Sequence, residues 1–161
     1  MKKRLALTLA ACAMCIGAQA QTAHSTKSTL VQATVLDTCK FERPGDSVTL
    51  GLGPLDPSNG VAASQSQAVK FSCTNGYTVA VGIAGQAMTQ ADHPRSLTHK
   101  TFATQTIPYT LSLRTPGGTT GRGFGLGNEL SLDLLAQVAA GDYANALGGA
   151  YEDAVVIELR P

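Results

Sequence analysis

Apolar and polar positions alternate in short runs along most of this chain. Over residues 154–160, Val155, Ile157 and Leu159 fall on one face, and Ala154, Val156, Glu158 and Arg160 on the other. That period of two predicts a strand with one buried face. The same alternation marks Val48, Leu50 and Leu52 in 47–53, and Val69, Phe71 and Cys73 in 67–73. It recurs in Tyr77, Val79, Val81 and Ile83 of 77–85, and in Ile107, Tyr109, Leu111 and Leu113 of 107–114. Leu30, Val31, Val35 and Leu36, set among threonines, predict a first strand from Thr29 to about Cys39. The stretch 86–106 is mixed and polar, a long loop with a short strand near 97–102. Residues 130–140 fit two templates: Leu130, Leu132 and Leu134 alternate, while Leu134, Leu135 and Val138 would make a helical stripe in good helix-forming company.

Turn chemistry separates these runs. Arg43-Pro44-Gly45-Asp46 is a turn signal, Thr74-Asn75-Gly76 a tight hairpin signal, and 115–129 a glycine-rich connection. About seven strands with almost no clear helix predict an all-β sandwich of immunoglobulin type. The chain has no tryptophan, so the antibody pattern of a tryptophan between two cysteines is absent. The terminal strand raises a question. The reading expects no later strand to cover its edge, and an open apolar edge is one that proteins blunt or hide.

Composition adds the compartment. Residues 1–20 have a basic start (Lys2, Lys3, Arg4), an apolar run to about Ile16, and the small-residue end Ala18-Gln19-Ala20. This reads as a secretory signal peptide cleaved after Ala20, too short and wrongly flanked to span a membrane. Leu9-Ala10-Ala11-Cys12 resembles a lipoprotein box, but the apolar run before Cys12 is short for one. The remaining 21–161 suit one domain. Losing three of twelve basic residues leaves nine against eleven acidic ones, a balance that does not suggest nucleic acid or an anionic membrane as partner.

Of four cysteines, Cys39 and Cys73 remain after cleavage, and an exported chain meets oxidising conditions, so the two are expected to form a disulfide. The three histidines lack ligand spacing for a two-cysteine zinc site. His93 and His99 flank Arg95 and read as solvated loop residues. In "GRGFGLG" (121–127) the glycines recur at every second position. No lysine follows as in a phosphate-binding loop, and the dinucleotide spacing is not met. No strained serine elbow appears. Glu152 and Asp153 are neighbours that a strand would point to opposite faces. The sequence offers no catalytic, metal-binding or cofactor-binding constellation, and the chain reads as something other than an enzyme.

Several blocks occur in an order that carries a resemblance. They are "VQATVLDTCKF", "VKFSCTNGYTVAVGI", "RSL" at 95–97, "IPYTLSL", and a close in which Gly149, Tyr151 and Asp153 precede an alternating strand. Together they resemble the spore coat protein U domain family, which includes subunits of archaic chaperone–usher pili. The resemblance implies an immunoglobulin-like sandwich lacking its final strand. The Val155, Ile157, Leu159 face would line a strand-acceptor groove. A periplasmic chaperone would fill it first, and after passage through an outer-membrane usher the N-terminal arm of a neighbouring subunit would replace the chaperone. Residues 21–30 would be this chain's own donor arm, and 31–161 its sandwich. Tyr151 is expected to pack its ring inward with its hydroxyl on nearby backbone.

The chain departs from the family pattern at two points. It closes on Leu159-Arg160-Pro161 rather than on an aromatic or apolar residue, and the arm offers only Ala23 before Leu30. The second leaves two readings: a donor segment shifted toward 30–35, or a weak donor. The implied role is a structural pilus subunit, exported through the periplasm to a cell-surface fibre, with no small-molecule substrate. A tip or adaptor adhesin and a freestanding secreted sandwich stay open beside it.

Overall fold

The computed structural model describes residues 25–43, 45, 47–88 and 91–160. The expected signal peptide, its cleavage after Ala20, and the arm up to residue 24 lie outside these residues. The chain divides into two units, Met1–Thr34 and Val35–Pro161. In the first, residues 25–34 carry neither helix nor strand, and Leu30 and Val31 are 80% and 87% exposed.

The second unit is an antiparallel, immunoglobulin-like β-sandwich. In chain order its elements are β1 (Cys39–Phe41), β2 (Ala63–Cys73), β3 (Ala80–Ile83), β4 (Asp92–His99), β5 (Thr106–Arg114), β6 (Leu130–Val138), the short helix α1 (Ala140–Tyr143), β7 (Tyr151–Glu152) and β8 (Ile157–Arg160). Six strands form one sheet in the order β1-β2-β6-β5-β4-β7, and β3 and β8 form a second. The register between β2 and β6 sets Phe71 against Leu130, Val69 against Leu132 and Gln67 against Leu134. The core follows from that alternation: Phe71, Cys73, Ile107, Tyr109, Leu111, Leu113, Leu130, Leu132, Leu134, Ala136 and Val138 are buried. A disulfide joins Cys39 to Cys73, which are register partners on adjacent strands.

Several sequence expectations need correction. The strand expected from Thr29 reduces to Cys39–Phe41, because among the described residues before Cys39 only Leu36 and Thr38 find backbone or side-chain partners, both at Thr74. Residues 47–53 form no strand either. Leu50, Leu52 and Leu55 turn toward the core, yet no backbone group of 47–55 bonds to backbone among the described residues. The turn at Thr74-Asn75-Gly76 exists, with Gly76 at φ 78°, but it closes no hairpin. The chain instead crosses there to the other sheet, and β3 pairs with β8.

Residues 130–138 are strand, since β6 lies between β2 and β5 and bonds to both. That environment overrides helix-forming composition. The expected short strand near 97–102 is the eight-residue β4, displaced toward the N-terminus. After β6 the chain makes the short helix α1 before it returns to the large sheet. The final strand is shorter than expected, with Tyr151–Glu152 on the large sheet and only Ile157–Arg160 on the small one.

Candidate functional site

Among the described residues, the terminal strand β8 bonds on one side only. Its register sets Ile157 against Ile83, Leu159 against Val81 and Arg160 against Ala80. Ala84 N donates to Val156 O, so the backbone groups of Val156, Glu158 and Arg160 face β3. By the same alternation, the backbone groups of Val155, Ile157 and Leu159 face away from β3. Among the described residues they meet no strand. Their side chains point inward and are half-buried against the core, whereas Val156 on the other face is 67% exposed.

β1 lies close to β8 without pairing to it. Among the described residues it too bonds on one side: Thr38 O accepts from Thr74 N just past β2 and Glu42 N donates to Lys70 O, which leaves the backbone of Cys39 and Phe41 turned away. Phe41 is half-buried against the same core. The site is therefore two neighbouring, unbonded strand edges over a partly covered apolar floor. Chemically it can do one thing well: accept an extended segment whose backbone bonds an edge and whose alternate side chains complete the core.

A second open edge shows how differently this protein treats an edge it has capped. Beyond Lys70, which bonds to Glu42, the β1-facing side of β2 has no neighbour among the described residues. There the side-chain amides of Gln65 and Gln67 donate to the carbonyls of Ser66 and Ala68, and of the exposed residues 64–68 all but Ala68 are serine or glutamine. That edge is polar and capped from its own side chains. The β8 edge is apolar, and no side chain among the described residues caps its backbone.

Where the chain crosses between sheets, Asp153 is held from two strands. Arg95 Nε donates to Asp153 Oδ2 at 2.5 Å and Arg95 Nη2 to Oδ1 at 2.9 Å. The Tyr109 hydroxyl donates to Oδ2 at 2.8 Å. The bidentate Arg95 bond holds the Asp153 carboxyl below the usual carboxylate range, with Tyr109 adding to it. The same bond pushes the Arg95 guanidinium up. Burial, and then donation to Asp153, pushes the Tyr109 phenol up to about 12.

Next to this cluster, the Tyr151 ring meets His99 edge-on at 4.9 Å and its hydroxyl donates to Leu147 O at 2.8 Å. Tyr151 itself is half-buried. His99 is buried, contrary to the solvated loop residue expected. Its Nδ1 accepts the backbone N–H groups of Thr101 and Phe102, and a side chain on Gly149 would collide with its ring. His93 is also fully buried, with Nδ1 2.7 Å from Gln86 Oε1. Both histidines lie on β4, whose inward face the polar sequence of 92–99 concealed.

The glycine-rich connection between β5 and β6 is not a loose loop at Gly121. A Cβ there would lie 2.2 Å from Thr74 O and 2.6 Å from Cys73 O. Gly121 N donates to Tyr77 O, and Gly121 O accepts from Gly76 N. Among the described residues no cluster of three or more metal-ligating side chains occurs, and no helix is long and apolar enough to cross a membrane. Of the residues that sequence reasoning singled out, Tyr151 lies on β7, Asp153 at the crossing between the sheets, and Val155, Ile157 and Leu159 half-buried against the core. It missed Arg95 and Tyr109 as the partners of Asp153 and Phe41 as part of the apolar floor. The register of β4 on β5, which pairs Arg95 with Tyr109, was the only route to the first two.

The family model of the Spore Coat Protein U domain matches residues 25–158. No curated protein matches the chain.

Proposed function

The chain belongs to the Spore Coat Protein U domain family, a family of structural surface proteins rather than enzymes, and from that membership we propose that it is a structural subunit of a surface pilus assembled by strand donation. In this reading a periplasmic chaperone covers the open edge first. An outer-membrane usher exchanges it for a segment of the next subunit. The observation that carries the reading is the open β8 edge, where the residues with unbonded backbone, Val155, Ile157 and Leu159, are also those with half-buried apolar side chains.

The donor segment of this chain lies at 30–35 rather than in the more polar stretch before it. Val31, Ala33 and Val35 alternate there, and Val31 and Val35 are 87% and 81% exposed. Alternating apolar side chains are what a donated strand inserts into an acceptor. Exposed apolar side chains of this size are a standing cost unless something covers them.

The test is to supply the missing strand. Residues 28–38, or the arm of a co-encoded subunit, would be fused after Pro161 through a short flexible linker. The fused protein is expected to be monomeric and to melt well above the unfused chain, which should aggregate or polymerise. Ile157→Asp should remove the gain by placing a charge on the apolar floor. An unfused chain that is already a stable monomer, and that fusion does not change, would overturn the proposal in favour of a freestanding sandwich.

A further inference from the structure

The acceptor strand is short and weakly anchored. β8 has four register pairs, all to β3, and no second neighbour among the described residues. A strand held on one side over so few pairs has little of its own to fix its register. A slip of one residue would turn Val156 and Glu158 inward and carry Ile157 and Leu159 outward. Something upstream must set where the strand begins.

The residue at that point is Asp153. Tyr151–Glu152 is bonded to Thr98–His99 on the large sheet, and the chain reaches the small sheet by Ile157. Asp153 opens the crossing and receives three hydrogen bonds, two from Arg95 on β4 and one from Tyr109 on β5. Arg95 and Tyr109 are register partners on adjacent strands, so their donors converge from a fixed pair of positions. The Arg95 and Asp153 side chains are only 21% and 14% exposed. An ion pair this far from water gains little net stability over apolar residues of the same size, which leaves geometric specificity as its use.

We propose that Arg95, Tyr109 and Asp153 form a clasp that sets the register of β8 on β3, and thereby keeps Val155, Ile157 and Leu159 presented to an incoming strand. The three are positioning residues: none of them lies on β8. The inference deepens the strand-donation reading and rests on it for its consequence, but the register claim is testable alone.

The experiment compares Asp153→Asn, Arg95→Lys and Tyr109→Phe with the parent, residue by residue, by amide hydrogen exchange. It uses whichever form is monomeric, the chain from residue 21 or its strand-fused version. In Asp153→Asn, the amides of Gly82 and Glu158 should lose roughly tenfold or more protection while those of Leu111 and Leu134 in the large sheet hold theirs. Arg95→Lys keeps the charge and loses the fork, and Tyr109→Phe keeps the ring and loses one bond, so both should show the same local pattern more weakly. They also decide the matter if Asp153→Asn does not fold.

A loss of protection spread evenly over both sheets would mean a general structural clamp and would overturn the proposal. Unchanged protection at Gly82 and Glu158 would do the same. A separate arm adds a synthetic peptide of residues 28–38 to the unfused chain. Failure of the parent to capture it counts against strand donation, whereas capture by the parent with loss in Asp153→Asn ties the clasp to uptake.

Discussion

Removing the Cys39–Cys73 bridge is the perturbation whose size can be worked out most directly. The bridge closes a loop of sequence separation 34. In the chain-entropy account, a loop of that length removes about 13 cal/mol/K from the unfolded ensemble, or about 4 kcal/mol at room temperature. The folded state depends on it in a second way. β1 has only three residues, so the bridge supplies much of what holds this edge of the candidate site to β2.

The assay is urea unfolding of the strand-fused protein, comparing the oxidised parent with Cys39→Ala/Cys73→Ala. Alanine is preferable to serine because Cys73 is fully buried and a hydroxyl there would need a partner. The midpoint should fall by an amount worth about 4 kcal/mol, or roughly 15 °C in Tm for a domain of this size. The slope against urea should rise, because the uncrosslinked unfolded chain exposes more surface. A loss below about 1 kcal/mol with an unchanged slope would refute the reasoning. So would two reactive thiols in the native, unreduced protein.

Other predictions test separate parts of the fold. Gly121→Ala should abolish or severely reduce folded yield, since its Cβ would meet the carbonyls of Thr74 and Cys73, backbone that cannot swing aside; an alanine variant melting with the parent would contradict this. Gly149→Ala should lower stability by about 2 kcal/mol or more, because φ is 151° and the new methyl would strike the His99 ring. The Asp153 carboxyl titrates lower folded than unfolded, so its contribution is present above its unfolded value of about 4 and lost as pH falls through the folded one; Asp153→Asn should therefore flatten the acid limb of a Tm–pH profile. Tyr109 titrates higher folded than unfolded, at about 12 against 10.0, so its contribution is complete below pH 10 and fades as pH rises through 12; Tyr109→Phe should flatten the alkaline limb.

What the sequence revealed follows a physical division. β5 was legible because Ile107, Tyr109, Leu111 and Leu113 alternate without interruption and every one of them is buried. β4 was not, because its inward face is His93, Arg95, Leu97 and His99, which read as polar until Gln86, Asp153 and backbone N–H groups supply partners. Pro94 fits within β4 because Leu113 N bonds to Ala91 O, which turns the backbone of Pro94 toward the open side of β4, where it breaks no ladder. The stretches 29–37 and 47–53 carry strand-like apolar runs, but among the described residues they pair with no strand. Periodicity reports which face is apolar, not whether a partner exists. The clasp was invisible for another reason: Arg95 and Asp153 are 58 residues apart, and only the folded sheet brings them together.

The central claim is that the outward edge of β8 waits for a strand from another chain. Amide hydrogen exchange at Ile157 and Leu159 measures that edge directly, with Glu158 between them as an internal control bonded toward β3. In the unfused chain, examined as freshly refolded monomer, Ile157 and Leu159 should exchange fast while Glu158 is protected. In the strand-fused protein all three should be protected, with Ile157 and Leu159 slowed by orders of magnitude. Ile157 and Leu159 already protected without the added strand, or still unprotected with it, would contradict the account.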